Sequence, residues 1–355
     1  MRFLFLNSSR HWGGNEKWTY IAAKSLSEDN NVYLTYRDDN FGEQFDFNIQ
    51  KFKLPFIFDF DPFTILKVLL LIKKKKIDIL IPTKRKDYVI AGIAAKICRK
   101  RNILRLGIVR DLENKWYNNF VYNKLADGII VNAERIKEVL LQSEFMKTDK
   151  IRVIYNGLDL DDLKQSLSGG SEQKSSSFIV SSMGRIIKRK GFDYLIKGFN
   201  HFLNITEAKD AELLIIGEGD NLPSLITLLK SLKISSKVSF SGFLKDPYPY
   251  LAMSNVFVLI SKNEGISNAL LEAMYFKNTI ISTSVGGTRE VIENEKNGYL
   301  LEKIDVIKLG EMLRDLYENP QRRKRIGEEA HHTVLEKFSL NKMKTKIENY
   351  CREIL

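Results

Sequence analysis

Residues 263–274 read NEGISNALLEAM, and they set two carboxylates, Glu264 and Glu272, around the start of a helical run rich in Ala, Leu and Met. If Ser267 or Asn268 caps that helix, the backbone N–H groups after Gly265 point at an anion. A carboxylate close to an anion is repelled by it, so both glutamates are expected to accept hydrogen bonds from hydroxyls lying somewhat farther off. A second segment, MGRIIKRKG (183–191), places Arg185, Lys188, Arg189 and Lys190 between two glycines and ahead of the helical run FDYLIKGF. Arg offers a planar fork of donors and Lys a point charge, a pair suited to a diphosphate whose negative charge rises as it leaves. Not all four cations can face one ligand, and Lys188 and Arg189 are expected to be solvated. In HWGGNEKW (11–18), Gly13 and Gly14 let the backbone approach a ligand, while Glu16 falls in the first turn of the next helix, where the dipole favours a carboxylate. A molecule with a diphosphate in its middle and hydroxyl-bearing rings on both sides, such as a nucleotide sugar, meets these demands. Taken singly, each segment also reads as an ordinary turn or a charged surface loop. Neither HWGGNEKW nor IGEGDN (216–221) has the GxGxxG spacing of a dinucleotide site.

These segments need elements to hold them. Along the first half, short β-rich runs (RFLFLN, VYLTYR, IDILIP, ILRLGIV, GIIVN, RVIYN) alternate with helical patterns, including one over about Glu16 to Leu26, TILKVLLLI and VIAGIAAKIC. That alternation predicts βαβ units and a parallel sheet. It lapses near Leu158 into a polar stretch rich in Ser and Gly, then resumes with FIVSSMG, AELLIIG, KVSFSGF, NVFVLIS and NTIISTS. The expected organisation is a first doubly wound domain over 1–157, a linker over 158–176, and a second doubly wound domain over 177–338. Residues 339–355 form a last helix that could pack back on the first domain. Each chemistry-bearing segment falls just after a strand, where open α/β sheets bind their ligands.

Composition narrows the class. A chain of 355 residues that is 44% hydrophobic can bury two substantial cores. The opening MRFLFLNSSR reads as a first buried strand, no apolar run is long enough to span a membrane, and two cysteines, Cys98 and Cys351, suggest neither a disulfide framework nor a zinc site. A cytoplasmic protein is expected. Of the net +12, residues 1–159 carry 28 Lys/Arg against 19 Asp/Glu, so the first half is expected to meet an anionic partner. Lys73–Lys76 closes TILKVLLLI, either as part of an amphipathic helix on anionic lipid or, more plainly, as lysines complementing the C-terminal dipole of a sheet-covering helix. Asp59-Phe-Asp61 has the spacing of a metal-binding DxD but lacks its context, and no metal is expected.

The motifs GGNE (13–16), NGLD (156–159), GRIIKRKG (184–191), GEGD (217–220), EGISNALLE (264–272) and VGGTREVI (285–292) resemble, in this order, those of the retaining glycosyltransferases of family 4. The resemblance runs along almost the whole chain. It implies an α/β GT-B fold, two Rossmann-like doubly wound parallel-sheet domains facing a central cleft. It implies a hexosyltransferase-like, retaining, metal-independent enzyme without cofactors, with Arg185, Lys190 and Glu264 as catalytic residues. Arg185 and Lys190 would hold the donor diphosphate, Glu264 would accept from hydroxyls of the transferred sugar, and Glu272 from the ribose. Gly13, Gly14, Glu16, Gly184 and the backbone of Gly265, Ile266 and Ser267 would complete the donor site.

Two departures stand out against the family. Many relatives carry a histidine after the strand ILRLGIV, where this chain has Arg110 and Asp111, which become candidate sugar or acceptor contacts. A common glycine and proline after the LLEAM helix are replaced by Lys277 and Thr279, a change expected to affect stability more than chemistry. The expected partners are a nucleotide sugar, a glycan or lipid-linked acceptor, and an anionic membrane surface met through the basic first domain, with Trp12, Trp18, Trp116 and Tyr117 suited to docking. This would place the enzyme peripherally on the inner face of the cytoplasmic membrane, in polysaccharide or lipopolysaccharide assembly. A nucleotide-sugar epimerase of the same architecture and a non-catalytic nucleotide-sugar or nucleic-acid binding protein are the alternatives. No nucleic-acid recognition module supports the last.

Overall fold

The computed structural model describes residues 1–166 and 177–355. It divides into two units, Met1–Gly157 with Leu340–Leu355, and Leu158–Ser339. The first unit contains strands β1 (Arg2–Asn7), β2 (Asn31–Tyr36), β3 (Gln50–Lys53), β4 (Ile79–Pro82), β5 (Arg101–Leu106), β6 (Gly128–Val131) and β7 (Ile151–Val153). They form one sheet in the order β3-β2-β1-β4-β5-β6-β7, with every pairing parallel. The second unit contains β8 (Phe178–Met183), β9 (Ala211–Ile216), β10 (Val238–Gly242), β11 (Val256–Leu259), β12 (Thr279–Thr283) and β13 (Tyr299–Leu301). Its order is β10-β9-β8-β11-β12-β13, again all parallel.

In both sheets the first strand of the unit lies inside and the order reverses beside it, which is the doubly wound pattern. Such a strand is covered on both faces and must be apolar throughout. β1 and β8 accordingly bury nearly every side chain. Around β1, Phe3, Phe5, Trp18 and Leu34 form one core layer, and Leu4, Leu6, Val68 and Ile72 the other. In the second unit Phe199, Phe202, Val258 and Leu313 share the core.

The helix Leu340–Ile354 buries Met343, Ile347, Tyr350 and Cys351 in the first unit's core. Its Tyr350 hydroxyl donates to the Lys150 carbonyl at 2.6 Å and accepts from Ile129 N–H at 3.2 Å. The stretch expected as a linker differs at its start. Leu160–Gln165 is a helix of the second unit, because Asp159 accepts from Asp162 N–H and caps it while Leu163 is buried. The rest of that stretch, from 167, lies outside the described residues.

Candidate active site

In the second unit the site grows from the loops that follow β8, β9, β11 and β12. After β8 the chain makes a one-turn 3-10 helix, Lys188–Lys190, that ends on Gly191 at φ +68°. A Cβ there would meet the Ile260 carbonyl at 2.0 Å, so only glycine lets this loop close against the end of β11. Lys262 N–H then donates to the Arg189 carbonyl at 2.9 Å, joining the two loops by backbone. After β12, Gly286 at φ +54° approaches so closely that a Cβ would stand 1.7 Å from the Glu264 carbonyl. The Glu264 backbone is thus packed closely against the Gly286 turn.

Into this cradle Lys190 donates to Glu264 Oε1 at 2.5 Å, while Arg189 lies 3.5 Å from the same oxygen and donates to the Asn263 carbonyl. Burial pushes the Glu264 carboxyl up, but Lys190, Arg189 and a hydrogen bond from Ser261 outweigh it and hold the group below the usual carboxylate range. Arg189 is therefore not the solvated cation expected from sequence. In a tight turn successive side chains point about 120° apart, so Lys188 is directed to solvent while both of its followers reach inward. Arg185 is exposed, and the structure does not bring it into the Lys190–Glu264 pair.

Ser267 occupies the cap position of the helix Asn268–Tyr275 without making a side-chain cap bond. Gly265 and Ile266 are buried just before it, and Glu272, one turn in, is 1% exposed. The two replacements after this helix lie in its closing turn and on the next strand. Lys277 sits in the left-handed region at φ 59° and pairs with Glu328, while Thr279 donates to the Arg323 carbonyl at 2.7 Å.

In the first unit Gly13 precedes the helix Gly14–Ser27, and Lys17 N–H donates to its carbonyl at 2.9 Å. Glu16 is buried and ion-paired with Lys84. A carboxylate at that depth requires a counter-charge, so it stands engaged within the unit. The sequence reading missed its neighbour Arg105, on β5. This guanidinium is 3% exposed, donates to the Asn15 side-chain oxygen at 2.5 Å and to that of Asn156 at 3.4 Å, and lies 4.6 Å from the Trp18 ring centre. Burial lowers its pKa to about 10, opposed by Tyr88 and Glu16. Trp18 is thus a core side chain and offers no docking surface. The only hint in sequence was an arginine inside the apolar run ILRLGIV.

Asp87 was missed as well. Its fully buried carboxyl accepts from Ser8 N–H at 3.0 Å, and burial raises it to about 6 despite that bond and the nearby Lys84 and Lys86. Arg110 donates to the Tyr122 hydroxyl at 3.1 Å, and Asp111 is exposed. Asp59 and Asp61 diverge in role. Asp59 accepts from Tyr117, whereas Asp61 caps the helix Pro62–Lys75 and accepts from Ile57, Phe63 and Thr64. The DxD spacing here joins a loop tie to a helix cap.

A glycosyl transferases group 1 model matches residues 164–333, and a Glycosyltransferase Family 4 model matches residues 12–162. The chain belongs to this glycosyltransferase family, and its two parallel-sheet units are those of the GT-B fold. Over 214 residues, 60% of the chain, it is 29% identical to the N-acetylgalactosamine-N,N'-diacetylbacillosaminyl-diphospho-undecaprenol 4-alpha-N-acetylgalactosaminyltransferase of Campylobacter jejuni. That stretch spans 56% of the relative's length. It is 27% identical over 296 residues to the capsular polysaccharide biosynthesis glycosyltransferase CapM of Staphylococcus aureus, covering 78% of the chain and 77% of the relative. Anabaena Alr3699/HepE, solved in complex with UDP-glucose, superposes with a TM-score of 0.83 at 20% identity, over 99% of this chain and 100% of that one.

Proposed function

We propose that the protein transfers a sugar from a nucleotide-sugar donor to a glycan or lipid-linked acceptor in the assembly of a cell-surface polysaccharide or lipopolysaccharide. The observation that carries this reading is the Lys190–Glu264 pair, fixed in a glycine-lined backbone cradle at the carboxyl ends of β8 and β11. An ionised carboxylate beside a cation can accept from sugar hydroxyls while the cation meets the departing diphosphate. Arg189 beside Glu264 keeps that carboxylate charged when Lys190 turns to the phosphate. The names of the Campylobacter and Staphylococcus relatives support a lipid-linked or capsular acceptor, and the UDP-glucose complex of the Anabaena protein supports a nucleotide-sugar donor.

In this scheme the acceptor hydroxyl attacks the anomeric carbon from the face the diphosphate leaves. The bond from that carbon to the phosphate oxygen breaks, and the leaving phosphate takes the hydroxyl proton, so configuration is retained. Arg185 and Lys190 carry the leaving-group charge, and the transfer is proposed to need no metal. Glu264 positions the sugar, Glu272 the ribose, and the backbone at Gly184, Gly265, Ile266 and Ser267 approaches the donor. Work on a lipid-linked acceptor would place the enzyme at the inner face of the cytoplasmic membrane. The test is transfer kinetics with the anomeric configuration of the product read by NMR. Lys190→Ala is expected to lower kcat by about 100-fold with retained configuration in the residual product. Normal turnover in that variant, or an epimerised nucleotide sugar as the product, would contradict the scheme.

A further inference from the structure

We propose that the loop and helix spanning residues 58–74, together with Trp116, form a surface that docks on an anionic lipid bilayer. The helix Pro62–Lys75 has two apolar faces. Val68 and Ile72 pack into the core under β1 and β4. On the opposite side Phe63, Leu66 and Leu70 follow the i, i+3, i+7 spacing of a single stripe, and Phe63 is 68% exposed. A helix apolar on both sides is stable in water only at the cost of leaving one side uncovered, and exposed patches of this kind mark interaction sites.

The loop before the helix extends the stripe. Phe58 and Phe60 are about half exposed, yet their backbone is tied down. Lys86 donates to the carbonyls of Phe56 and Ile57 at 3.1 and 2.9 Å, Ile57 N–H donates to Asp61 at 3.0 Å, and the Tyr117 hydroxyl donates to Asp59 at 2.6 Å. That last bond brings in Trp116, which is 77% exposed. These aromatic side chains are held outward by a fixed scaffold.

Charge selects the occupant. By helical spacing Lys67 and Lys74 flank the stripe on one side and Lys73 on the other, all three exposed and none with a carboxylate partner among the described residues. Asp59 and Asp61 are the only acids between residues 57 and 77, and both are engaged as acceptors within the unit. A convex apolar ridge bordered by unneutralised lysines, with a tryptophan beside it, has the composition of an interfacial segment on anionic headgroups. A second copy of this chain would present the same lysines and repel them, which argues against self-association.

The proposal gives the lipid-linked acceptor of the preceding section a place to be met, but its test does not depend on transfer activity. The full chain is sedimented with vesicles of phosphatidylcholine alone or with phosphatidylglycerol added, and tryptophan emission is recorded. Binding is expected only with phosphatidylglycerol, weakening as salt rises, with a blue shift that Trp116→Phe removes. Phe63→Ser with Leu70→Ser, and separately Lys67→Gln with Lys73→Gln, should each weaken binding about tenfold or more. Leu335→Ser, an exposed apolar side chain of the other unit, should change nothing. Because the substituted side chains are exposed, melting and nucleotide stabilisation should be those of the parent. Equal binding to neutral vesicles, unaltered binding by both double variants, or a concentration-dependent dimer that the Phe63/Leu70 variant disperses would overturn the proposal.

Discussion

Glu264 and Lys190 lie 74 residues apart in sequence, and what brings them together is the parallel neighbours β8 and β11, whose following loops meet. Their types and their places after strands were legible in the sequence, but their pairing was not, because it depends on Gly191 and Gly286 closing to distances that only a backbone without Cβ permits. Arg189 was misassigned for a similar reason, since a run of four cations does not say which of them a tight turn directs inward. Asp87 carries a separate consequence. Its carboxyl titrates near 6 in the folded protein against an ordinary 3.8, one oxygen bonded to Ser8 and the other without a hydrogen-bond partner among the described residues. The folded state therefore holds the proton more tightly, a contribution fully present below the ordinary value and lost as pH rises through about 6. Against Asp87→Asn, the parent should lose about 2 kcal/mol of relative stability between pH 4 and pH 7. Urea midpoints of both proteins across that range measure it, and a constant difference would show that Asp87 does not titrate there.

Among elements, the strands were the easiest to anticipate, since a strand covered on both faces must be a continuous apolar run and RFLFLN, IDILIP and NVFVLIS are such runs. Helix ends were harder. The helix expected over TILKVLLLI starts at Pro62 because buried Asp61 caps it, and it stops at Lys76 in a left-handed turn. Its lysines complete a sheet-covering helix, the plainer of the two sequence readings, yet its other face is apolar and exposed, which no periodicity count separates from a wholly buried helix. The turn after Asn268–Tyr275 gives a sharper case. Lys277 adopts φ 59°, a conformation that costs an L-residue about 1–2 kcal/mol, and its ion pair with Glu328 is half exposed and contributes little. Lys277→Gly should stabilise the protein by about 0.5–1 kcal/mol, less than the relieved strain because glycine loses more chain entropy on folding. Thermal or urea unfolding checks this, and destabilisation would mean that the Glu328 pair outweighs the strain.

For the molecule as a whole, two doubly wound units could be read from the alternation of strand and helix patterns. The return of the last helix to the first unit rests on Met343, Ile347 and Tyr350 finding a core formed more than two hundred residues earlier, a long-range match that local patterns do not encode. Arg105 was hidden for the same reason, because an arginine in a buried strand is tolerated only where Asn15, Asn156 and Trp18, distant in sequence, surround its guanidinium. In the proposed reading the second unit holds a nucleotide sugar through Lys190, Glu264 and the following helix that bears Glu272. The most direct test is a thermal-shift titration of the protein with UDP, GDP, ADP and their common sugar conjugates, repeated with Lys190→Ala and Glu272→Ala. Stabilisation by one nucleotide family, reaching about 3 kcal/mol at a hundredfold excess over Kd and lost in both variants, is the expected result. Absence of stabilisation by every member of the panel, or stabilisation that both variants retain in full, would contradict it.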